Sequence, residues 1–170
     1  MSEPRVFAVS GTSGTGKTTV TVKLIHELKA RGHAVASVKS SSKDIEPQVG
    51  KDTQKHWDAG SDMSVFLGPT TTEAMFRKRL NLKDIIEESI DYIIVEGAKG
   101  SNIPKFWHIG TDKEVGELPS NVVAILRQSG ADHQITLQEG VDVPQFWDNE
   151  ISKLVDVIET IAVSLSLVDV

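Results

Sequence analysis

The chain contains no cysteine. That excludes disulfides, thiolate zinc sites, iron–sulfur ligation and cysteine nucleophiles together. No apolar run approaches the roughly 20 residues that span a bilayer, so no membrane association is expected. Positive charge is scarce: 18 basic against 24 acidic side chains leave a net charge of −6. A broadly basic nucleic-acid-binding surface is therefore not expected, although a local basic pocket is not excluded. Aromatic residues make up 5%, and Trp57, Trp107 and Trp147 are too scattered for a base-stacking platform. They are expected at core edges or a dimer face. The five histidines, His26, His33, His56, His108 and His133, show no metal-ligand spacing. The opening Met-Ser-Glu-Pro-Arg places an acid where a signal peptide needs bases, and its apolar run Val6–Val9 is short, so a cytoplasmic protein is expected.

What is present is the balance of a folded domain: 170 residues, 39% apolar and 25% charged. One domain spanning residues 1–170 is expected. Apolar strands alternate with helical patterns, the signature of an α/β fold with a mostly parallel sheet. Strands are expected at Arg5–Ser10, Ala34–Val38, Met63–Leu67, Asp91–Val95 and Val122–Leu126. Helices are expected over Lys17–Arg31, which stops at Gly32, over Asp52–Gly60, over Leu80–Ser89 and at the end over Asn149–Leu165. Lys39–Gly50 reads as a loop, and Thr70–Met75 is ambiguous. Gly97–Pro119 is a long Gly/Pro-containing stretch, expected to be a functional loop or to hold a small hairpin.

Between the first strand and the first helix stands Gly11-Thr12-Ser13-Gly14-Thr15-Gly16-Lys17-Thr18, a match to G-x-x-x-x-G-K-[ST]. Glycines let the backbone curl so that successive amides point at phosphate oxygens, and the following helix adds its positive end. Gly11 through Thr19 are therefore the expected nucleotide-binding residues. Lys17 would place a charge on the β- and γ-phosphates, and the Thr18 hydroxyl is a hard ligand for Mg²⁺. An acid is also needed for the metal. Glu96 follows the strand Asp91–Val95, at the carboxyl edge where ligands of open α/β sheets bind. Asp52 is a second candidate, with a plain helix cap as the competing reading. Lys39 ends the second strand on the same edge and joins Lys17 as a candidate catalytic charge. Lys43, Lys51, Lys99 and Lys105 fall in loops expected on that rim, where they could form a basic patch for a polyanion.

The ordered set of the phosphate loop, Val38-Lys39, Gly50-Lys51-Asp52-Thr53 with Ala59-Gly60, Ile94-Val95-Glu96-Gly97 and Pro104-Lys105 resembles the molybdopterin-guanine dinucleotide biosynthesis protein B (MobB) family. The resemblance runs from about Arg5 to Ile161. It implies a phosphate-loop NTPase fold, a three-layer α/β/α sandwich, and binding of GTP or ATP with Mg²⁺ held by Thr18, Asp52 and Glu96. It also implies slow hydrolysis and a homodimer that assists a molybdenum-cofactor guanylyltransferase and its molybdopterin. Three segments differ from the family pattern: Ser40-Ser41-Ser42 replaces histidines, Ala98 follows Val-Glu-Gly in place of Phe, and Trp107-His108-Ile109-Gly110 stands where a basic residue is usual. These are expected to face the second ligand or partner. Dethiobiotin synthetase shares the Val-Glu-Gly segment, so an ATP-dependent small-molecule kinase or ligase is the alternative, and a non-catalytic nucleotide holder a third.

No N-K-x-D tetrad reads guanine. Arg127-Gln128-Ser129, after the Val122–Leu126 strand, is where a base could be read, but a Gln amide suits either purine. No general base is evident, and an arginine finger would have to come from Arg77, Arg79 or Arg127. A missing finger costs roughly 10³–10⁵ in rate, so slow intrinsic turnover is expected.

Overall fold

The computed structural model describes residues 3–45, 52–86, 89–111, 115–131, 135–137 and 140–168. In chain order its elements are β1 (Arg5–Gly11), α1 (Lys17–Ala30), β2 (Val35–Lys39), α2 (Asp52–Asp58), β3 (Met63–Leu67), β4 (Thr72–Phe76) and β5 (Tyr92–Glu96). These are followed by β6 (Lys105–Gly110), β7 (Val122–Arg127), β8 (Gln145–Trp147), α3 (Ile151–Ile161) and β9 (Val163–Ser164). Two compact units result, one formed by Met1–Ser41 with Ile86–Val170 and the other by Ser42–Ile85.

The first unit is built on a sheet ordered β2-β5-β1-β6-β7-β8, parallel throughout. The central strands β1 and β5 are near-continuous apolar runs because both of their faces are buried. Phe7, Val9, Tyr92, Ile94, Phe106, Ala124 and Leu126 meet Val20, Leu24 and Leu28 of α1 and Leu154, Val155 and Ile158 of α3 in one core. The other face carries a smaller cluster of Ile109, Val115 and Ile125, with Trp107, Leu118, Ile135, Leu137 and Val143 packed against it. Arg31 ties the two helices: its guanidinium reaches Glu27 at 3.1 Å, Asp156 at 2.7 Å and Glu159 at 3.0 Å. The α/β class and the mostly parallel sheet flanked by helices are as expected.

Three readings need correction. Among its described residues, Gly97–Pro119 forms neither a long loop alone nor a hairpin: β6 lies inside it and inserts in parallel between β1 and β7. The terminal helix stops at Ile161, because Ala162 turns extended (φ −60°, ψ 133°) and β9 pairs antiparallel with β1. β6 covers β1 only from Ala8 to Gly11, which leaves Arg5 and Val6 open on that side for β9. Over Leu80–Ser89 only a single 3₁₀ turn forms among the described residues, at Leu82–Asp84, with the Asn81 side chain accepting from the Lys83 amide. β8, three residues long, was not anticipated.

The second unit holds α2 and an antiparallel hairpin, β3 with β4, in the register Met63↔Phe76 to Leu67↔Thr72. The ambiguous Thr70–Met75 stretch thus resolves as strand β4. Arg77 stacks on the Trp57 ring at 4.0 Å and donates to the Ser61 and Trp57 carbonyls. Phe66 and Leu67 are exposed on this hairpin (55% and 77%).

Candidate nucleotide-binding site

β1 delivers the chain to the carboxyl edge of the sheet, and α1 starts six residues after its end, at Lys17. Between them the backbone turns twice through left-handed glycines, Gly14 (φ 79°) and Gly16 (φ 97°). The backbone amides of Thr12 to Gly16 donate to no protein acceptor among the described residues. They form a run of unspent donors ahead of a helix N-terminus, the chemistry of an anion cradle. The loop is otherwise held by the Thr15 hydroxyl on the Thr12 carbonyl, 3.1 Å, and by the Lys17 ammonium on the same carbonyl. The Thr18 and Thr19 side chains open α1 on its exposed side.

The floor of this loop comes from β6. Gly11 stands opposite His108 so closely that a Cβ there would lie 2.1 Å from the His108 carbonyl oxygen. His108 is fully buried, and its ring edge lies beneath Gly16. Its Nδ1 accepts from the Gly110 amide at 3.2 Å, which places the hydrogen of the neutral ring on Nε2. Nε2 has no hydrogen-bond partner among the described residues and lies 3.7 Å from Asp148 Oδ2. Asp148 in turn accepts from the Ser129 amide at 2.9 Å, in the loop after β7. Desolvation holds the His108 pKa below its ordinary value, opposed by Asp148 and reinforced by Lys17 and Lys23. Sequence reasoning read His108 only as part of a divergent segment; with no metal spacing around it, it gave no other signal.

The acid expected after β5 is in place. Glu96 is buried (7% exposed), and Thr18 Oγ1 donates to its two oxygens at 3.0 and 2.9 Å. Lys39, its register partner on β2, places its ammonium on Glu96 Oε1. Lys17, Thr18, Lys39 and Glu96 therefore occupy one edge of the first unit. Burial lowers the Lys17 pKa, with Lys99 and Lys39 acting in the same direction and Glu96 against it. As a metal site, Thr18 and Glu96 supply hard oxygens close together, which fits Mg²⁺. They are too few to hold it without phosphate oxygens and water.

Asp52 heads α2 of the second unit, largely exposed, with its carboxylate 2.8 Å from the Lys55 ammonium. Gly50 and Lys51 of the same motif, like His133, lie outside the described residues. The expected rim of loop lysines is corrected at one position. Lys105 is fully buried at the start of β6, because three backbone carbonyls satisfy its ammonium there. Lys43 and Lys99 are exposed. Of the candidate fingers, Arg77 is engaged within the second unit, Arg79 is exposed, and Arg127 stacks on Trp147 at 4.4 Å.

Residues 6–133 match the family profile described as "MobB: Molybdopterin guanine dinucleotide synthesis protein B". The chain belongs to the MobB family. A probable molybdopterin-guanine dinucleotide biosynthesis adapter protein of Bacillus subtilis is 26% identical over 129 residues, 71% of this chain and 75% of that one. The corresponding adapter protein of Haemophilus influenzae is 28% identical over 152 residues, covering 84% and 85%. The crystal structure of Bacillus subtilis MobB superposes with a TM-score of 0.69 at 22% identity, over 93% of this chain and 98% of that chain. A MobB homologue from Bacillus stearothermophilus gives 0.60 at 20%, over 91% and 98%. These structures share the MobB fold with this chain. Within it, two of the segments expected to differ from the family pattern adjoin the site: the Ser40 amide donates to the Glu96 carbonyl, and Trp107–Gly110 lies in the strand that floors the loop.

Proposed function

We propose that the protein is a GTP- and Mg²⁺-binding adapter of molybdopterin guanine dinucleotide biosynthesis, with slow hydrolysis of its own. The observation that carries this is the pairing of a phosphate loop whose amides are unspent with a buried Glu96 bonded to Thr18, in a MobB-family chain. Amides 12–16 and Lys17 would take the phosphates. Thr18 and Glu96 would hold Mg²⁺. The metal would neutralise charge between the β- and γ-phosphates. Lys39 neutralises Glu96 and would add charge at the terminal phosphate. No general base stands out among these residues, which supports slow turnover.

The adapter role assigns the partner class: a molybdenum-cofactor guanylyltransferase carrying molybdopterin. The apolar residues exposed on the β3–β4 hairpin support a homodimer, since such a face is a common interface signature. Titration calorimetry of GTP against ATP, with Mg²⁺ and with chelator, tests the ligand. Tighter Mg²⁺-dependent binding of GTP is expected; preference for ATP, with ADP release stimulated by one small metabolite, would replace this reading by the kinase alternative. Co-sedimentation with the guanylyltransferase tests the partner, and no association at micromolar concentrations would remove the adapter role.

A further inference from the structure

Lys105 is a fully buried lysine with no carboxylate partner among the described residues, and desolvation lowers its pKa. Burying an unpaired charge is costly, and an apolar side chain of similar volume commonly serves stability better. Packing alone therefore does not explain a lysine here. Its ammonium donates to the carbonyls of Ala98 (3.3 Å), Lys99 (2.9 Å) and Ser101 (2.7 Å). Three acceptors within four residues close one turn, the turn that follows Glu96. The same turn is fixed at its start, where the Ser10 hydroxyl donates to the Gly97 carbonyl. Inside it the Ser101 hydroxyl donates to the Ala98 carbonyl at 2.8 Å. Ala98 itself is held at φ 49°, a left-handed conformation that a non-glycine residue adopts at a cost.

The exposed product of this arrangement is Lys99. Its Nζ lies 5.8 Å from the centre of the Trp107 ring. Trp107 is the register partner of Ser10, the residue before the first glycine of the phosphate loop. Lys39 and Thr18 already engage the carboxylate of Glu96, Lys17 stands directly before Thr18, and Lys99 lies on the turn three residues after Glu96. In a chain of net charge −6, such a concentration of ammonium groups is unfavourable until an anion joins it.

We infer that Lys99 is a third phosphate-binding lysine of the cradle, directed at a phosphate beyond the β position, and that Lys105 is the positioning residue that presents it. This rests on the nucleotide reading above. The phosphate could be the terminal group of the nucleotide or belong to a second phosphate ester bound beside it, and the two sources are separable by experiment.

Affinities of GTP and GDP with Mg²⁺ would be measured by calorimetry for the full chain and for Lys99→Ala, Lys105→Met and the double variant. Lys99→Ala should weaken GTP about tenfold and leave GDP within about twofold. Lys105→Met should do the same without lowering the melting temperature, and the double variant should be no worse than Lys99→Ala alone, because Lys105 acts through Lys99. Inorganic phosphate, titrated onto the GDP-bound protein, distinguishes the source. Loss of phosphate binding in Lys99→Ala with unchanged GTP affinity assigns Lys99 to a second ester. Equal weakening of GTP and GDP overturns the inference, as does no change in GTP or in phosphate binding. Should Lys105→Met fail to fold, Lys105→Gln keeps amide donors for the turn; a folded Lys105 variant with wild-type affinities overturns the positioning role. Lys17→Ala is the control: if it leaves GTP affinity intact, the cradle reading itself has failed, whatever Lys99 does.

Discussion

The Thr18 hydroxyl donates to both oxygens of Glu96. A hydroxyl that points its hydrogen at a carboxylate turns its lone pairs outward, toward a cation, and the carboxylate makes the oxygen a better donor. Glu96→Gln should keep the fold, since size and one acceptor survive, but remove the negative charge from the proposed metal position. The ratio of GTP affinities with Mg²⁺ and with chelator should fall about tenfold or more. An unchanged ratio would take Glu96 out of the metal site.

Lys17→Ala tests the cradle. The Lys17 ammonium rests on the Thr12 carbonyl, within the loop it would serve, and its pKa is lowered by burial and by Lys99. Removing it would take out a charge proposed to meet the phosphates. GTP affinity should drop at least tenfold, about 1.4 kcal/mol. A smaller change by calorimetry would mean that the ammonium does not meet the phosphates.

His108 gives the site's floor a pH dependence. Its folded pKa lies below 6.5, so as pH falls past 6.5 the unfolded chain takes a proton that the folded chain refuses. Stability is then complete above that pH and declines toward the lower folded value. One such group contributes a slope of at most about 1.4 kcal/mol per pH unit. Melting temperatures followed from pH 7.5 to 5 should fall in the wild type and fall less in His108→Gln. Identical profiles would show that another group titrates in this window.

How much of this was legible beforehand follows from where the polar residues sit. β1 and β5 announce themselves because unbroken apolar runs, Val6–Val9 and Ile93–Val95, fill their interiors. β6 is equally central, yet Lys105 and His108 interrupt its pattern, so Lys105-Phe-Trp-His-Ile-Gly reads as loop. Both polar groups are fully buried at specific tertiary positions, Lys105 against three carbonyls and His108 against Gly110 and Asp148, which no local pattern encodes. The phosphate loop, Glu96 and Lys39 were legible because motif spacing and the ends of recognisable strands fix them. The end of α3 was not, since Val163 and Ser164 suit a helix and are drawn off only by the free edge of β1.

Gly11 and Gly14 separate steric from conformational need. Both adopt positive φ, 143° and 79°. A Cβ on Gly14 meets no heavy atom within 4 Å, so Gly14→Ala costs only its left-handed backbone, about 1–2 kcal/mol. A Cβ on Gly11 would lie 2.1 Å from the His108 carbonyl oxygen and 3.0 Å from its carbon, both backbone atoms of the adjoining strand. Nothing flexible can yield there; β1 and β6 must part at the mouth of the site. Gly11→Ala should cost more than about 4 kcal/mol, in the range reserved for broken cores. For a chain of this length, each kcal/mol lowers the melting temperature by about 2–4 °C. Circular dichroism melts should therefore show a drop of a few degrees for Gly14→Ala and of 10 °C or more, or no folded protein, for Gly11→Ala. Equal shifts in the two variants would mean that β6 does not press on the loop as described, and the floor beneath the loop would have to be sought elsewhere.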